Sequence, residues 1–435
     1  MTSDSACVLD EAYQRLHVTG PEFDGWLSNH GPMVAEAMAR RGQADGVQRW
    51  LDFYMQRLEE FPRGAGPIGP QWREALGDPR RVADWTVYFR REVASRPWPE
   101  VLDTWWPRLL PGLVAAATHG VIRTGHAVEA LLTDGETPDH LAELAHGLAY
   151  WAARWQPVPG AETGPAAKPE AEPGAEPGPC AEREPGAEAG PGAEAGPGAE
   201  PGPGAEPGPG AEPGPGAEPG PGAEPGPGAE PGPGPRPTAE QYDGHPAAEF
   251  TVAAALATVP RIADQTGGIS DRLPRLDGLP GWRSAVASAA IPASPDQTRA
   301  WLAGLADEAT TRYLEYGHGN AIMLVHSATA PTAVLRTLPA LRQELWAPSA
   351  AAAWAAAAAL TAIYAPSVPA PADVLPAAPL GPLAAEEVFA RAVDHGDEHV
   401  IKFADAAADV HARTGRPAAL AAAIRAADLV PRKTV

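Results

Sequence analysis

Apolar residues recur every three or four positions along most of the chain, which is the spacing of amphipathic α-helices. Between residues 46 and 60, for example, Val47, Trp50, Leu51 and Tyr54 fall on one face. The same spacing predicts helices over residues 31–41, 46–60, 78–93, 98–106, 112–132 and 140–155, and then over 247–259, 295–314, 321–335, 348–364, 384–392, 397–414 and 418–427. No stretch alternates convincingly between apolar and polar residues, as a half-buried strand would. The pattern therefore predicts an all-α fold.

This periodicity disappears between Pro157 and Thr238. Residues 187–234 repeat the hexapeptides AEAGPG and then AEPGPG, in which alanine is the only apolar residue. Glutamates repel one another and proline favours an extended chain, so the segment is predicted to be a disordered insert. Because the entropy of closing a loop grows only slowly with its length, a folded domain tolerates such an insert. We expect one multi-helix domain in two halves, 1–156 and 239–435, joined by the disordered insert 157–238.

Charge and composition limit the partners and the cellular location that we expect for this protein. The 435 residues carry a formal net charge of −22, of which −12 lies between residues 161 and 240, where 15 glutamates stand against three basic residues. An acidic chain is a poor partner for nucleic acid, because phosphate binding needs a basic face. The two cysteines make no disulfide framework, no signal peptide is recognisable, and the apolar run 350–365 is too short to span a membrane. We therefore expect a cytoplasmic protein with neither nucleic-acid nor membrane partners.

Four histidines stand where an imidazole could reach a shared site. His30 precedes a predicted helix, His119 lies within the helix 112–132, His326 is embedded in an apolar run, and His399 lies near a helix start. A single histidine on an apolar helix is most often a core residue. Several imidazoles that converge from distant helices would instead bind Fe, Zn, Cu or Ni, because neutral imidazole suits these metals. The sequence pattern leaves both interpretations open.

Charged residues accompany two of these histidines. Lys402 follows His399 by three positions and shares its helical face among apolar neighbours. A charged amine there must reach solvent, meet a carboxylate or lose its proton. Arg123 and His126 follow His119 by about one and two turns on one face of their helix.

Other motifs give weaker signals. Glu143 and His146 match one Glu-x-x-His element of di-iron bundles. Glu315 and His318 repeat the spacing, but His318 lies in a Gly-containing turn, and the two further glutamates that such a site needs on facing helices are not evident. His395 and His399 have the spacing of metal ligands, although Gly396 places His395 outside the helix that follows. The GxGxxG spacing occurs once, in GAGPIG (64–69), but no predicted strand precedes it and no predicted helix follows it directly, and no GxSxG elbow occurs. Neither a Rossmann unit for NADPH or FAD nor a hydrolase nucleophile can therefore be placed.

Six segments together resemble the questin oxidase-like family. They follow the family's order on both sides of the insert and are specific as a set. They read SNHGPMVAEAM (28–38), ALGDPRRVADW (75–85), LLPGLVAAATHGVIRTGHAV (109–128), ELAHGLAYWAARW (143–155), HGNAIMLVHSATAPTAVLRTLP (318–339) and HGDEHVIKFADAA (395–407).

The resemblance implies a mostly helical oxidoreductase of secondary metabolism, which oxygenates and opens rings of aromatic, anthraquinone-type polyketides. It also implies a histidine-rich mononuclear iron centre with a modified lysine ligand, and the positions that match these ligands are His30, His119, His326, His399 and Lys402. A Baeyer–Villiger oxidation that uses NADPH without a metal is an alternative. A non-catalytic helical ligand-binding protein is another, of a different class.

The chain departs from the fungal-like form of the family at Arg123 and His126, which are our candidate catalytic residues. Arg123 would hold an anionic phenolate of the substrate or pair with a carboxylate. The carboxylated form of Lys402 is chemically reasonable, since a deprotonated buried amine adds carbon dioxide and becomes a carbamate. That reaction supplies an oxygen ligand and removes a buried ammonium.

Overall fold

The helical periodicity of the sequence becomes sixteen α-helices in the computed structural model, which describes residues 3–161 and 251–433. Before the undescribed stretch the elements are α1 Ser3–Leu16, β1 Glu22–Phe23, β2 Leu27–Ser28, α2 Gly31–Arg40, α3 Ala44–Tyr54, α4 Val82–Ser95, α5 Trp98–Leu109, α6 His119–Thr133 and α7 Pro138–Ala153. After it come α8 Val252–Thr258, α9 Ile269–Arg272, α10 Trp282–Ala287, α11 Pro295–Tyr316, α12 Ala321–Thr337, α13 Trp346–Tyr364, α14 Ala384–His395, α15 Glu398–Thr414 and α16 Pro417–Leu429. The all-α prediction is confirmed, and the two short strands form one antiparallel hairpin.

Side-chain caps explain where α12 and α15 begin. Asn320 accepts a hydrogen bond from the backbone N–H of Met323 at 3.0 Å and caps α12. Asp397 accepts from the backbone N–H of His399 at 2.8 Å and caps α15. Such caps satisfy N–H groups that lack a partner within the helix. Helix α1 is not among the helices that the apolar spacing predicted.

The helix predicted over residues 112–132 is wrong in its first half. Ala116, Ala117 and Thr118 have φ angles of 45°, 55° and 70°, in the left-handed region. This conformation interrupts the helix, so α6 begins only at His119. The apolar spacing continues through the break, which is why periodicity did not reveal it. For residues with a Cβ the left-handed region is strained, at roughly 1–2 kcal/mol each.

Two apolar cores each combine residues from both sides of the insert. One joins α1–α3 to α14–α16 and includes Leu51 and Val400. The other joins α4–α7 to α8–α13, where the indole N–H of Trp106 donates to Oγ of Ser349 at 2.8 Å. The described residues on the two sides of the insert therefore belong to one compact unit.

Helices α6 and α12 approach each other closely at a glycine. A Cβ added to Gly125 would lie 2.7 Å from the Cβ of Ala333 and 2.9 Å from its carbonyl oxygen. Only glycine leaves room for this approach of the two backbones. The contact brings together two helices that are separated in sequence by the insert.

The predicted disordered insert lies outside the described residues except for residues 157–161. In that short stretch Val158 is buried, and the carbonyl oxygen of Pro159 accepts from the indole N–H of Trp282 at 2.6 Å. Within the described ranges, one helical stretch, Gln343–Tyr364, is long and apolar enough to cross a membrane by length and composition. Its apolar window is 83% buried inside the protein, which is consistent with the core helix of a soluble protein.

Candidate metal centre

Four histidines, each from a different helix, lie close together around one point. His30 stands at the N-cap of α2, His119 opens α6, His326 lies in the second turn of α12, and His399 lies in the first turn of α15. All four are buried, and one ring nitrogen of each lies within 4.8 Å of the others. Nε2 of His119 is 2.7 Å from Nε2 of His30 and 2.9 Å from Nε2 of His326.

The outer nitrogens of two rings decide which atoms face inward. Nδ1 of His119 lies against the carbonyl oxygen of Ala116, and Nδ1 of His326 lies 3.3 Å from the carbonyl oxygen of Met323. A carbonyl oxygen only accepts hydrogen bonds, so each ring carries its proton on Nδ1 and a lone pair on Nε2. The two Nε2 atoms therefore present lone pairs to each other, an arrangement that a shared cation would stabilise.

Burial keeps three rings of the cluster neutral. It lowers the pKa of His30, His119 and His326 well below the ordinary value for histidine, and the nearby charge of Lys402 lowers the pKa of each ring further. Neutral imidazole is the form that binds metals. These three rings can therefore bind a metal ion at neutral pH without first releasing protons.

Lys402 lies one turn after His399 on α15 and is only 1% exposed. Its Nζ atom has no hydrogen-bond partner among the described residues. Burial lowers its pKa to about 7, although Glu398 and Asp397 raise it in part. A buried amine without a partner is costly, so this lysine fits a role as a ligand or a reactive neutral amine better than a structural one.

A carboxylate holds the ring of His399. Oδ1 of Asp397 lies 3.3 Å from Nδ1 of His399, and its Oδ2 lies 2.8 Å from Nζ of Lys433, which also lies 2.7 Å from Oε2 of Glu398. Burial alone would raise the pKa of Asp397, but its hydrogen bond with His399 and the charge of Lys433 hold that pKa below its usual range. A charged carboxylate beside an imidazole fixes the orientation of the ring and makes it a better metal ligand.

The strained turn at residues 116–118 belongs to the same site. Ala116 and Ala117 line the cleft next to the histidines, and the carbonyl oxygen of Ala116 accepts from Nδ1 of His119. Strained backbone conformations persist where the surrounding structure enforces them, and they cluster at functional sites. Here the turn aims Nε2 of His119 at the other rings.

Ala117→Gly should raise the free energy of unfolding by about 1 kcal/mol, because glycine adopts the left-handed region without a Cβ clash. Urea denaturation of the metal-free protein measures the change. Ala115→Gly is the matched control: this buried alanine has no left-handed φ, so the same substitution should lower stability by roughly 0.5–1 kcal/mol. Destabilisation at both positions would contradict the strained turn.

The four histidines line a cleft with a volume of about 930 Å³. That volume is in the range of small-molecule sites. Large apolar and aromatic side chains line it as well, namely Phe23, Trp26, Leu27, Trp155, Ile269, Ile322, Met323 and Tyr364. Of these, Trp26 lies on the β1–β2 hairpin and is 64% exposed. Charged side chains share the lining, among them Arg57, Arg154 and Arg272. The cleft therefore combines apolar walls that suit a flat ring system with groups that can bind its polar substituents.

Arg123 and His126, the candidate catalytic residues, do not line this cleft. Arg123 is buried and donates to both carboxylate oxygens of Glu143, at 2.6 and 2.8 Å. Nε2 of His17 approaches the same carboxylate to 2.9 Å. Glu143, the first residue of the Glu-x-x-His motif, is therefore bonded to Arg123 and His17. Nδ1 of His126 lies 2.5 Å from Oε2 of Glu36. The catalytic role of the two residues stays a prediction.

Three charged residues that lie on the helices carrying the histidines, or bond to them, were not predicted from the sequence. Lys433 follows the last predicted helix, and nothing in its position along the sequence connects it with Asp397. Glu36 and Asp405 are almost fully buried carboxylates within otherwise apolar helical stretches. A carboxylate at an apolar position was the signal that could have identified the last two.

The family model described as questin oxidase-like matches residues 35–184, roughly a third of the chain. The resemblance seen in the sequence is confirmed over that range, which contains His119. The match to this family supports oxidoreductase activity. His30 precedes the matched range, and His326 and His399 follow it. No curated protein matches the chain.

Proposed function

We propose that this chain, whose residues 35–184 match the questin oxidase-like family, is a metal-dependent oxygenase. In this proposal iron is held by four histidines, with Lys402 as a further ligand in its carboxylated form. The substrate is a polycyclic aromatic compound of the anthraquinone polyketide type, which the enzyme oxidises or cleaves. The observation that carries the proposal is the convergence of four buried imidazoles on a wide cleft, namely His30, His119, His326 and His399.

The donor set fits a metal of this kind. The Nε2 separations of 2.7 and 2.9 Å are close to the roughly 3 Å between neighbouring ligands of a six-coordinate ion with bonds of about 2.1 Å. Four or five protein ligands leave at least one position of such an ion open. Imidazole and carboxylate donors suit iron, whereas a closed structural zinc site would fill all four of its positions with protein ligands.

Iron bound there would supply the redox chemistry that lets dioxygen react with an aromatic ring. The chain's own residues would orient and shield the reactants. Asp397 and the carbonyl oxygen of Ala116 hold two imidazole rings by their outer nitrogens. The aromatic and aliphatic side chains of the cleft would bind a flat ring system and exclude water from the reacting atoms.

Metal analysis of the purified chain after anaerobic reconstitution tests the proposal. We expect about one equivalent of iron per chain, and oxygen consumption with a hydroxyanthraquinone that a chelator abolishes. Less than about a tenth of an equivalent of Fe, Mn, Zn or Cu would contradict the proposal and favour a helical ligand-binding protein. NADPH oxidation that survives chelation would instead favour a Baeyer–Villiger oxidation without a metal.

A further inference from the structure

A buried carboxylate lies at the centre of a network of ion pairs, further along the helices that carry the histidines. Asp405 of α15 is 1% exposed and accepts from Arg40 at 2.6 and 2.8 Å, from Arg41 at 2.8 Å and from Arg336 at 2.7 Å. Paired hydrogen bonds between guanidinium and carboxylate groups are strong and directional. Asp405 therefore ties the end of α2 and the end of α12 to the middle of α15.

The network continues from Arg40 to a fourth helix. Nε of Arg40 donates to Oε1 of Glu36 at 2.7 Å, and Oε2 of Glu36 lies 2.5 Å from Nδ1 of His126 on α6. Arg336 also binds Asp409, one turn beyond Asp405. We call this set the Asp405 network: Glu36, Arg40, Arg41, His126, Arg336, Asp405 and Asp409.

The four helices joined by this network are the four that carry the histidine cluster. On each helix, a member of the network follows the histidine by six to ten residues. At a rise of 1.5 Å per residue, the two levels are roughly 9–15 Å apart along the helix axes. A fixed link at one level therefore limits how far the helices can separate at the other.

The network has balanced charge and is tightly bonded, with three arginines against three carboxylates. Burial alone would raise the pKa of Asp405, but Arg336, Arg40 and Arg41 hold that pKa well below its usual range. Buried ion networks often add little net stability compared with apolar packing. Fully bonded networks do favour one unique arrangement of the elements that they join.

We infer that the Asp405 network positions the four histidine helices, so that the imidazoles converge before any metal binds. Asp405 is its central positioning residue, and His126 connects α6 to it. This inference rests on the proposed metal site. It predicts that the metal-free protein already has the arrangement that the metal requires.

Cobalt titration of Asp405→Asn tests the inference, since Co²⁺ reports both its affinity and its coordination by visible absorption. We expect the dissociation constant for Co²⁺ to rise at least about tenfold and the absorption bands to change, as when the groups that orient metal ligands are removed. Asp84→Asn is the matched control. Asp84 is buried on α4, away from the four helices, and accepts from Arg81 and from two backbone N–H groups. For this control we expect less than a twofold change, roughly, at a similar loss of melting temperature.

A second variant covers the case in which Asp405→Asn does not fold. His126→Leu breaks only the link between α6 and Glu36, and it leaves Glu36 bonded to Arg40. We expect it to weaken Co²⁺ binding by roughly three- to tenfold. Dissociation constants within about twofold of the wild type for His126→Leu and for folded Asp405→Asn would overturn the inference. Equal weakening by Asp84→Asn would overturn it as well.

Hydrogen exchange of the metal-free protein separates this inference from the proposed function. The amides of the second turns of α2, α6, α12 and α15, which donate within each helix next to the histidines, should be protected in the metal-free wild type. They should be less protected in Asp405→Asn or His126→Leu but not in Asp84→Asn. A wild type that binds no metal would defeat the proposed function, and the exchange data would still decide whether the network positions the helices. Unchanged protection in the network variants would defeat the inference alone.

Discussion

Purified His119→Ala protein should retain less than about a tenth of the metal that the wild type holds, and His326→Ala should behave in the same way. Nε2 of His119 faces both His30 and His326, so its loss removes the donor at the centre of the cluster. His326 comes from the other side of the insert, 207 positions along the chain. Elemental analysis of protein reconstituted with iron without oxygen measures the retained metal.

His146→Ala is the matched control for these two variants. His146 is also a buried helical histidine, but it stacks on His17 and does not belong to the cluster. Its replacement should leave the metal content unchanged, whatever it does to stability. Full metal occupancy in either His119→Ala or His326→Ala would show that the two parts of the chain do not share one site. Loss of metal in both would support our proposal that residues 1–156 and 239–435 are halves of one catalytic domain.

The helices were predictable from sequence because their apolar spacing and caps are local features. The break before His119 was not, since alanine is the best helix former and Ala116 and Ala117 continue the apolar pattern. The ring of His119 donates a hydrogen bond to the carbonyl oxygen of Ala116 in this turn, and Ala117 and Thr118 are buried. The residues that orient a candidate ligand therefore depart from the helical conformation that alanine favours.

The convergence of the histidines depends on contacts that no local pattern contains. Periodicity placed His119 and His326 on helices, but their meeting requires the close approach at Gly125 and Ala333. The family resemblance supplied this pairing. The burial of Lys402 could be predicted from sequence because its helical neighbours are apolar. The ion pair of the buried Arg123 could not, because its partner Glu143 lies 20 positions away.

Lys402→Met should make the metal-free protein more stable at neutral pH, although it should remove the proposed activity. Burial lowers the pKa of Lys402 from 10.5 to about 7. Between these pH values the unfolded chain holds a proton that the folded chain lacks, so the stability of the wild type rises with pH over that window. The penalty of burying the amine is therefore greatest below pH 7 and disappears above pH 10.5. Methionine carries no such penalty, and the expected gain at pH 7 and below is a few kcal/mol, with a ceiling of about 5.

Urea denaturation of the metal-free, bicarbonate-free protein at several pH values between 7 and 10 measures this gain. It should shrink steadily as the pH rises, because the lysine of the wild type becomes neutral in the unfolded chain as well. Lys433→Met is the control, since that amine is partly exposed and bonded to two carboxylates, and its loss should stabilise the protein at no pH. A gain for Lys402→Met that is absent at pH 7, or that does not change with pH, would contradict a buried neutral amine.

A neutral amine is also what carbon dioxide requires, so the activity of the wild type should depend on bicarbonate. Small carboxylates should restore part of the activity that Lys402→Ala loses, because they can occupy the place of the carbamate.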